Sequence, residues 1–508
     1  MRAPLLLLIL AVVSASADAA PPDAVSDGAA GTATPAGRQV PADGFWSDEP
    51  QLQIISATLE PKTRRLTIIG ENFGGHRLPT VKLDAAVLSI ANATETRLVT
   101  DPLAADQVSI GTHLLTVIAG NDRTRFAVYT LVIGPPPGPG PSPGDNGDAP
   151  RPAGPASNQV QVIDRGRDVG WSTSIAVGAD GNPLILYLDY TNRDLKLARC
   201  RDPSCTSAAL RAMDTEGDVG WSNALIVGAD GLPRMSYFDN TRKDLKFIRC
   251  EDPECLTFKA QTIDTEGQVG QHTSLLLGRD GLPVISYYDK TRGDLKVAHC
   301  LDPDCAALER ATVDSVGNVG WYTSIALGAD GNPVISYFDV TRRDLKFARC
   351  TNPSCASARV TAVDMGGVGL GTDIVVPDDG LPLIAYWDFF NDNLKLARCT
   401  DADCTKAELA VIDGGGSVGS NAAMALGTDG NPVISYHDHT HSNLKIAHCS
   451  DRACTNVRLT APDANGSVGW HTSIAIGADG LPIVSYYDET NGDLKFLHCG
   501  DPACSLVE

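Results

Sequence analysis

At 508 residues the chain is long enough for two domains and an extended segment, and its 49 glycines and 32 prolines fit an all-β protein with many turns. Its 41 basic and 62 acidic residues leave a formal charge of −21, which disfavours nucleic acid or an anionic membrane as a partner. Acidity says little more than that.

Residues 1–20 read as a secretory signal peptide. Arg2 supplies the positive start, Leu5 to Val13 the apolar stretch, and Ala15-Ser16-Ala17 or Ala17-Asp18-Ala19 the small-residue cleavage site. No cysteine follows that site, which excludes a bacterial-type lipid anchor, and no later stretch reaches the length of a membrane span. The expectation is a secreted or periplasmic protein without membrane insertion. Residues 21–50, rich in Ala, Pro, Gly and Asp, read as a disordered linker.

Residues 51–134 read as short strands: Gln53 to Ala57, Arg65 to Ile69, Thr80 to Leu83, Leu114 to Ile118 and Phe126 to Ile133. The run Leu66 to Gly74, with its Gly70-Glu71-Asn72-Phe73-Gly74 element, then Pro79-Thr80-Val81 and Gly111 to Val117, resembles the IPT/TIG family of immunoglobulin-like modules. The resemblance implies a β-sandwich used for spacing and for protein or glycan contact. Residues 135–157 are Pro- and Gly-rich and lose strict Gly-X-Y phase at once, so they read as a semi-rigid linker.

From 158 to 508 a unit of about fifty residues occurs seven times, each copy closing on a cysteine pair. The pairs are Cys200/Cys205, Cys250/Cys255, Cys300/Cys305, Cys350/Cys355, Cys399/Cys404, Cys449/Cys454 and Cys499/Cys504, which use all 14 cysteines. Regular pairs in an exported chain predict seven local disulfides, since two thiolates per copy make only half a structural zinc site. Within a copy, Ser174 to Gly178, Leu184 to Asp189, Leu195 to Cys200 and Ser207 to Asp214 read as strands, the first two joined by the Asp180-Gly181 turn. The last copy stops before its fourth strand, and Asn158 to Asp164 supplies the missing one. The predicted fold is therefore all-β: a seven-bladed β-propeller of four-stranded blades, closed by an N-terminal strand and preceded by an Ig-like β-sandwich. The array resembles bacterial secreted seven-bladed propeller repeat proteins, more loosely Asp-box or lectin-like ones.

Strand alternation places the Asp-Gly turns and cysteine loops at one end, nearly constant from copy to copy. The other end varies. After each Val-Gly stand Trp171-Ser172, Trp221-Ser222, Gln271-His272, Trp321-Tyr322, Leu370-Gly371, Ser420-Asn421 and Trp470-His471. The loop between second and third strands carries Arg193, Arg242, Arg292 and Arg342, then Phe389 and Phe390, His439 and His441, and Glu489. Aromatic rings beside charged and amide groups suit a sugar, whose apolar faces stack while its hydroxyls take hydrogen bonds. Trp171, Trp221, His272, Trp321, Tyr322, Trp470, His471 and the four arginines are thus candidate ligand-binding residues. Two readings of the tryptophans stand level: outward-facing binding rings, or wedges buried between blades.

The repeated Asp189 and its equivalents suit turn bonds within their loop rather than a ring around a cation, with Lys196 and its equivalents as their partners. His437-Asp438-His439-Thr440-His441 carries alternating histidines, but His437 occupies a Tyr/Phe position of the repeat, so no metal and no cofactor is assigned. Asp314 to Trp321 is loosely similar to the Asp box of sialidases, yet its spacing and place between blades depart from that motif. No tyrosine-glutamate pair accompanies the arginines. The functional expectation is a non-catalytic recognition module for a glycan, with a cell-surface protein as the alternative partner and a sialidase-like glycosidase as the third reading.

Overall fold

The structure, a computed structural model, describes residues 53–60, 64–71, 73, 78–83, 86–94, 96–103, 111–118, 126–133 and 154–506. The leader, the 21–50 linker and most of the 135–157 linker lie outside them. The chain divides into two compact units, Met1–Gly140 and Pro141–Glu508. Among the described residues every regular element is a strand, and no helix is long and apolar enough to cross a membrane.

The first unit holds eight strands: β1 (Gln53–Glu60), β2 (Arg65–Glu71), β3 (Thr80–Leu83), β4 (Ala86–Leu88), β5 (Ile90–Ala93), β6 (Arg97–Thr100), β7 (Gly111–Ile118) and β8 (Phe126–Ile133). They form two four-stranded sheets, ordered β1-β2-β6-β5 and β4-β3-β7-β8. Leu66, Ile68 and Leu98 from one sheet meet Val81, Leu83 and Val117 from the other in a single core. The sequence reading missed β4, β5 and β6, which are three or four residues long and too short for alternation to register.

The second unit repeats one four-stranded antiparallel sheet. After β9 (Gln159–Asp164), the first repeat comprises β10 (Val169–Val177), β11 (Pro183–Asp189), β12 (Asp194–Cys200) and β13 (Ala208–Asp214). The second strand is buried at every position in the first repeat, as its unbroken apolar run requires when neighbouring sheets cover both faces. The Asp-Gly turn forms as expected: Gly181 takes φ 80° and Asp180 Oδ1 accepts the Asn182 N–H. The first strand, however, starts five residues earlier than the sequence suggested. Val169 pairs with Asp189 and Trp171 with Leu188, so the junction residues belong to a strand and not to a loop.

All seven cysteine pairs are disulfides: Cys200–Cys205, Cys250–Cys255, Cys300–Cys305, Cys350–Cys355, Cys399–Cys404, Cys449–Cys454 and Cys499–Cys504. Their Cα atoms lie 4.7–4.9 Å apart and both partners are buried in every case. The sequence reading missed the backbone at the second member of each pair. Cys205, Cys255, Cys305, Cys355, Cys404, Cys454 and Cys504 belong to no strand and are left-handed, with φ between 49° and 54°. Each N–H closes a tight turn on the carbonyl three residues earlier, as Cys205 does on Asp202 at 3.0 Å, and the fourth strand of the first repeat starts at Ala208 rather than Ser207. Such a set of disulfides fits an oxidising, extracellular compartment.

Sheets meet through apolar clusters shared by consecutive repeats. Leu184, Leu195 and Leu197 of the first repeat pack with Met235, Tyr237 and Ile248 of the second. Val169, Ile185 and Tyr187 pack in the same way with Ile483, Leu494 and Phe496 of the last repeat. The strand Asp493–His498 pairs antiparallel with β9, so the N-terminal strand is the fourth strand of the last sheet.

A polar latch spans each of these contacts. Tyr187 Oη donates to Asp164 Oδ2, and the equivalent tyrosines reach the aspartate that ends the fourth strand of the preceding sheet, at 2.6–2.7 Å in all seven repeats. Lys196 Nζ and its equivalents bond to the same oxygen. The expected pairing of the lysines with the loop aspartates is present in five repeats but longer, at 3.5–3.8 Å. Asp189 lies farther off, 3.5 Å from Lys196, because its Oδ1 already accepts the Asn192 N–H of its own turn.

Candidate functional site

The variable end is shaped by a bulge near the start of every first strand. Pairing runs Trp171 to Leu188 and then jumps to Ser174 and Leu186. The residue at the jump is left-handed in each repeat: Ser172 (φ 48°), Ser222 (48°), His272 (54°), Tyr322 (52°), Gly371 (58°), Asn421 (53°) and His471 (52°). That conformation costs an L-residue roughly 1–2 kcal/mol and breaks the alternation of side chains. Just before it, the junction glycine is obligatory. Gly220 has φ 96°, and a Cβ there would come within 3.0 Å of Leu195 Cα.

A cavity of about 440 Å³ opens at this end, with unequal contributions from the repeats. The seventh supplies Trp470, His471, Tyr487 and Glu489, and the first supplies Trp171. The sixth adds Ser420, Asn421 and His439; the fifth adds Leu370, Gly371 and Trp387; the fourth adds Tyr322. Four candidate ligand residues therefore converge here: Trp171, Tyr322, Trp470 and His471. Trp221, His272 and Trp321 occupy the same junction position or the one after it but are not among the lining residues.

The tryptophans are neither core nor free. Trp171, Trp221, Trp321 and Trp470 are all half-buried. Trp171 stacks on Tyr190 at 4.9 Å and faces His471 at 5.0 Å, while Trp470 stacks on His437 at 4.3 Å with the edge of His439 at 4.9 Å. The result is an aromatic belt, and Trp171, His439, Trp470 and His471 of it line the cavity. Its far wall, Trp387, was missed in the sequence because it lies on the second strand, where other repeats carry Leu, Phe, Tyr or His. The register explains it: Leu370 pairs with Trp387 as Trp171 pairs with Leu188, so the fifth repeat has exchanged the large and small members of the pair. Tyr487 was missed for the same reason, opposite Trp470.

The arginines are engaged elsewhere. Arg242 and Arg292 each reach the loop aspartate three residues earlier at 3.2 Å, and Arg342 does so at 3.3 Å. Arg193 is exposed and outside the cavity lining. The loop aspartates make the expected turn bonds, as with Asp239 accepting from Thr241 and Arg242 N–H.

The His437 segment is splayed. His437 is buried with Nδ1 2.9 Å from Val468 O, His439 faces Trp387, and His441 turns outward to Asp438 at 2.9 Å. No group of three metal-ligating side chains occurs among the described residues.

Burial sets the charge of the lining. It pushes His471 down to about 4, helped by His437, and it lowers His439 against the pull of Asp392 and Asp438. Both rings are neutral at pH 7. Tyr487 is pushed up to about 12, by burial and by its 2.8 Å bond to Asp168. Glu489 is then the charged residue of the lining. Its Oε2 accepts Ser467 Oγ at 2.7 Å, and Ser467 Oγ in turn accepts Trp470 Nε1 at 3.3 Å.

No family model matches the chain, and no curated protein matches it in sequence. Among solved structures it is similar to an auxiliary nutrient binding protein from Bacteroides ovatus, at 12% identity over 88% of this chain and 98% of that one, with a TM-score of 0.39. It is also similar to a variant of the Aleuria aurantia lectin in complex with Fucα1-6GlcNAc, at 12% identity over 58% and 96% of the two chains and a TM-score of 0.38. A polysaccharide lyase matches at 11% identity over 71% and 93%, with a TM-score of 0.42. Likeness at these TM-scores carries no argument about this chain.

Proposed function

We propose that residues 158–508 form a closed seven-bladed propeller, carried behind an IPT/TIG-like module, that acts outside the cytoplasm as a non-catalytic recognition module for carbohydrate. Closure is supported by the joint between first and last repeats, which carries the same apolar cluster and the same Tyr-Asp-Lys latch as the internal joints. A ring leaves no sheet at the end of the array uncovered.

The observation that carries the sugar reading is the cavity, whose lining brings the rings of Trp171, Trp387 and Trp470 together with Asn421, Ser420 and Glu489. Flat apolar walls with a few fixed polar groups match a sugar ring's own division into faces and hydroxyl edges. The lining holds one carboxylate, whereas glycoside hydrolysis by the common route uses two. The test is a glycan array of the mature protein beside a Trp171→Ala/Trp470→Ala variant. Binding that vanishes in the folded variant supports the reading, and an intact protein that binds no glycan overturns it.

A protein partner is the second reading, favoured by one feature. Phe390 is 74% exposed and Met365 71%, both on loops that flank the fifth repeat at the same end.

A further inference from the structure

Resting on the carbohydrate reading, the cavity's charge narrows the class of sugar. Among its lining residues Glu489 is the carboxylate and no lysine or arginine is present. Of the loop arginines, Arg242, Arg292 and Arg342 are tied to Asp239, Asp289 and Asp339, and Arg193 lies outside the lining. The histidines that would replace them are held neutral by burial.

Glu489 is also positioned. Ser467 donates to Oε2 while accepting from the Trp470 indole, so one relay fixes the carboxylate relative to that ring. Oε1 has no hydrogen-bond partner among the described residues. An anion beside several aromatic faces is the arrangement that attracts an ammonium group, through the ring quadrupoles and a charge-assisted hydrogen bond together. The chain's formal charge of −21 adds a field that favours a cationic ligand.

We propose that this cavity selects sugars carrying a free protonated amine, such as 2-amino-2-deoxyhexose units, with Glu489 as the counter-ion and Trp470 and Trp171 as the stacking faces. An N-acetylated sugar keeps the ring faces and loses the charge. A uronic acid brings a like charge towards Glu489 with no lining cation to meet it.

The test is tryptophan fluorescence of the full chain at pH 7 and low salt, titrated with short oligomers of glucosamine, N-acetylglucosamine and galacturonic acid. Glucosamine oligomers should bind about tenfold more tightly than the N-acetylated ones, the usual scale of one charged hydrogen bond at a partly exposed site. In Glu489→Gln that ratio should fall to about one. Glu309→Gln, which removes an exposed acid on a fourth strand, controls for bulk attraction and should keep the ratio. Equal binding of free and N-acetylated oligomers, both lost in Trp470→Ala, would overturn the amine inference and leave the carbohydrate reading standing. So would Glu309→Gln lowering the ratio as far as Glu489→Gln does, or galacturonate binding best. If none of the three oligomers binds, the carbohydrate reading falls and takes this inference with it.

Discussion

Tyr187 donates its hydroxyl proton to Asp164 at 2.7 Å across the joint between the first repeat and the N-terminal strand, 23 residues earlier in the chain. Tyr337 and Asp314 make the same bond at the same distance across an internal joint. If the array is a closed ring, the two bonds hold equivalent interfaces. Tyr187→Phe and Tyr337→Phe should then each lower unfolding stability by about 1.5–3 kcal/mol, the usual worth of a hydrogen bond to a charged group. Urea denaturation of both variants checks this, and a Tyr187→Phe variant indistinguishable from the parent would argue for a loose joint.

The latches also predict acid sensitivity. Burial pushes the carboxyls of Asp214, Asp264, Asp314 and Asp413 up, but the lysine, the tyrosine and a backbone N–H bonded to each hold them below the ordinary aspartate range. A carboxyl depressed in the folded state contributes stability that is present above its unfolded value of about 3.9 and is lost as pH falls through the folded one. The urea midpoint should therefore hold steady near neutrality and drop below about pH 4.

Asp373 carries the opposite sign. It stands where other repeats place Ser174, Ser274, Ser324 and Ser473, and it accepts hydrogen bonds from Ser324 Oγ and the Met424 N–H, each at 2.7 Å. Burial raises its pKa in spite of those bonds, so ionisation costs stability once pH exceeds the unfolded value. Asp373→Ser restores the residue of the other repeats, whose hydroxyl accepts the equivalent N–H, as Ser324 does from Ile374 at 3.3 Å. The variant should be more stable than the parent by about 1 kcal/mol at pH 7. That advantage should disappear towards pH 4, as read from melting curves across the range.

Each disulfide closes a loop with partners five residues apart, so its effect on the unfolded chain is modest. Replacing Cys350 and Cys355 together by serine should cost at least about 2 kcal/mol and leave a folded protein, since the other members of the apolar cluster that holds both cysteines remain, as does the next cluster. Circular dichroism with a thermal melt distinguishes this from a collapse of the whole array.

Binding should discriminate among tryptophans that look alike in the repeat. Trp470→Ala should weaken glycan binding at least about tenfold, the scale of a lost ring face, while Trp321→Ala, outside the cavity lining, should leave it within about twofold. Equal losses in both would move the site from the cavity to the repeated junctions.

The repeat, the strand plan and the disulfide pairing were legible in the chain because their causes are local. Asp180-Gly181 makes its turn with neighbours, Cys200 meets Cys205 across one loop, and strands announce themselves by apolar runs a few residues long. Even the partner of the last copy's third strand could be read, since Asn158 to Asp164 matches the end of a fourth strand. What only the tertiary structure decided depends on residues brought together from far apart. Lys196 sits closest to Asp164, 32 residues earlier, rather than to the nearer Asp189, whose two oxygens already accept from Asn192 in its own turn. Which tryptophans share a cavity, and that Trp387 replaces the absent ring of its repeat, follows from strand register and a left-handed bulge. A seven-times repeated sequence says what each position is, and only the packing of the repeats says which positions face the same space.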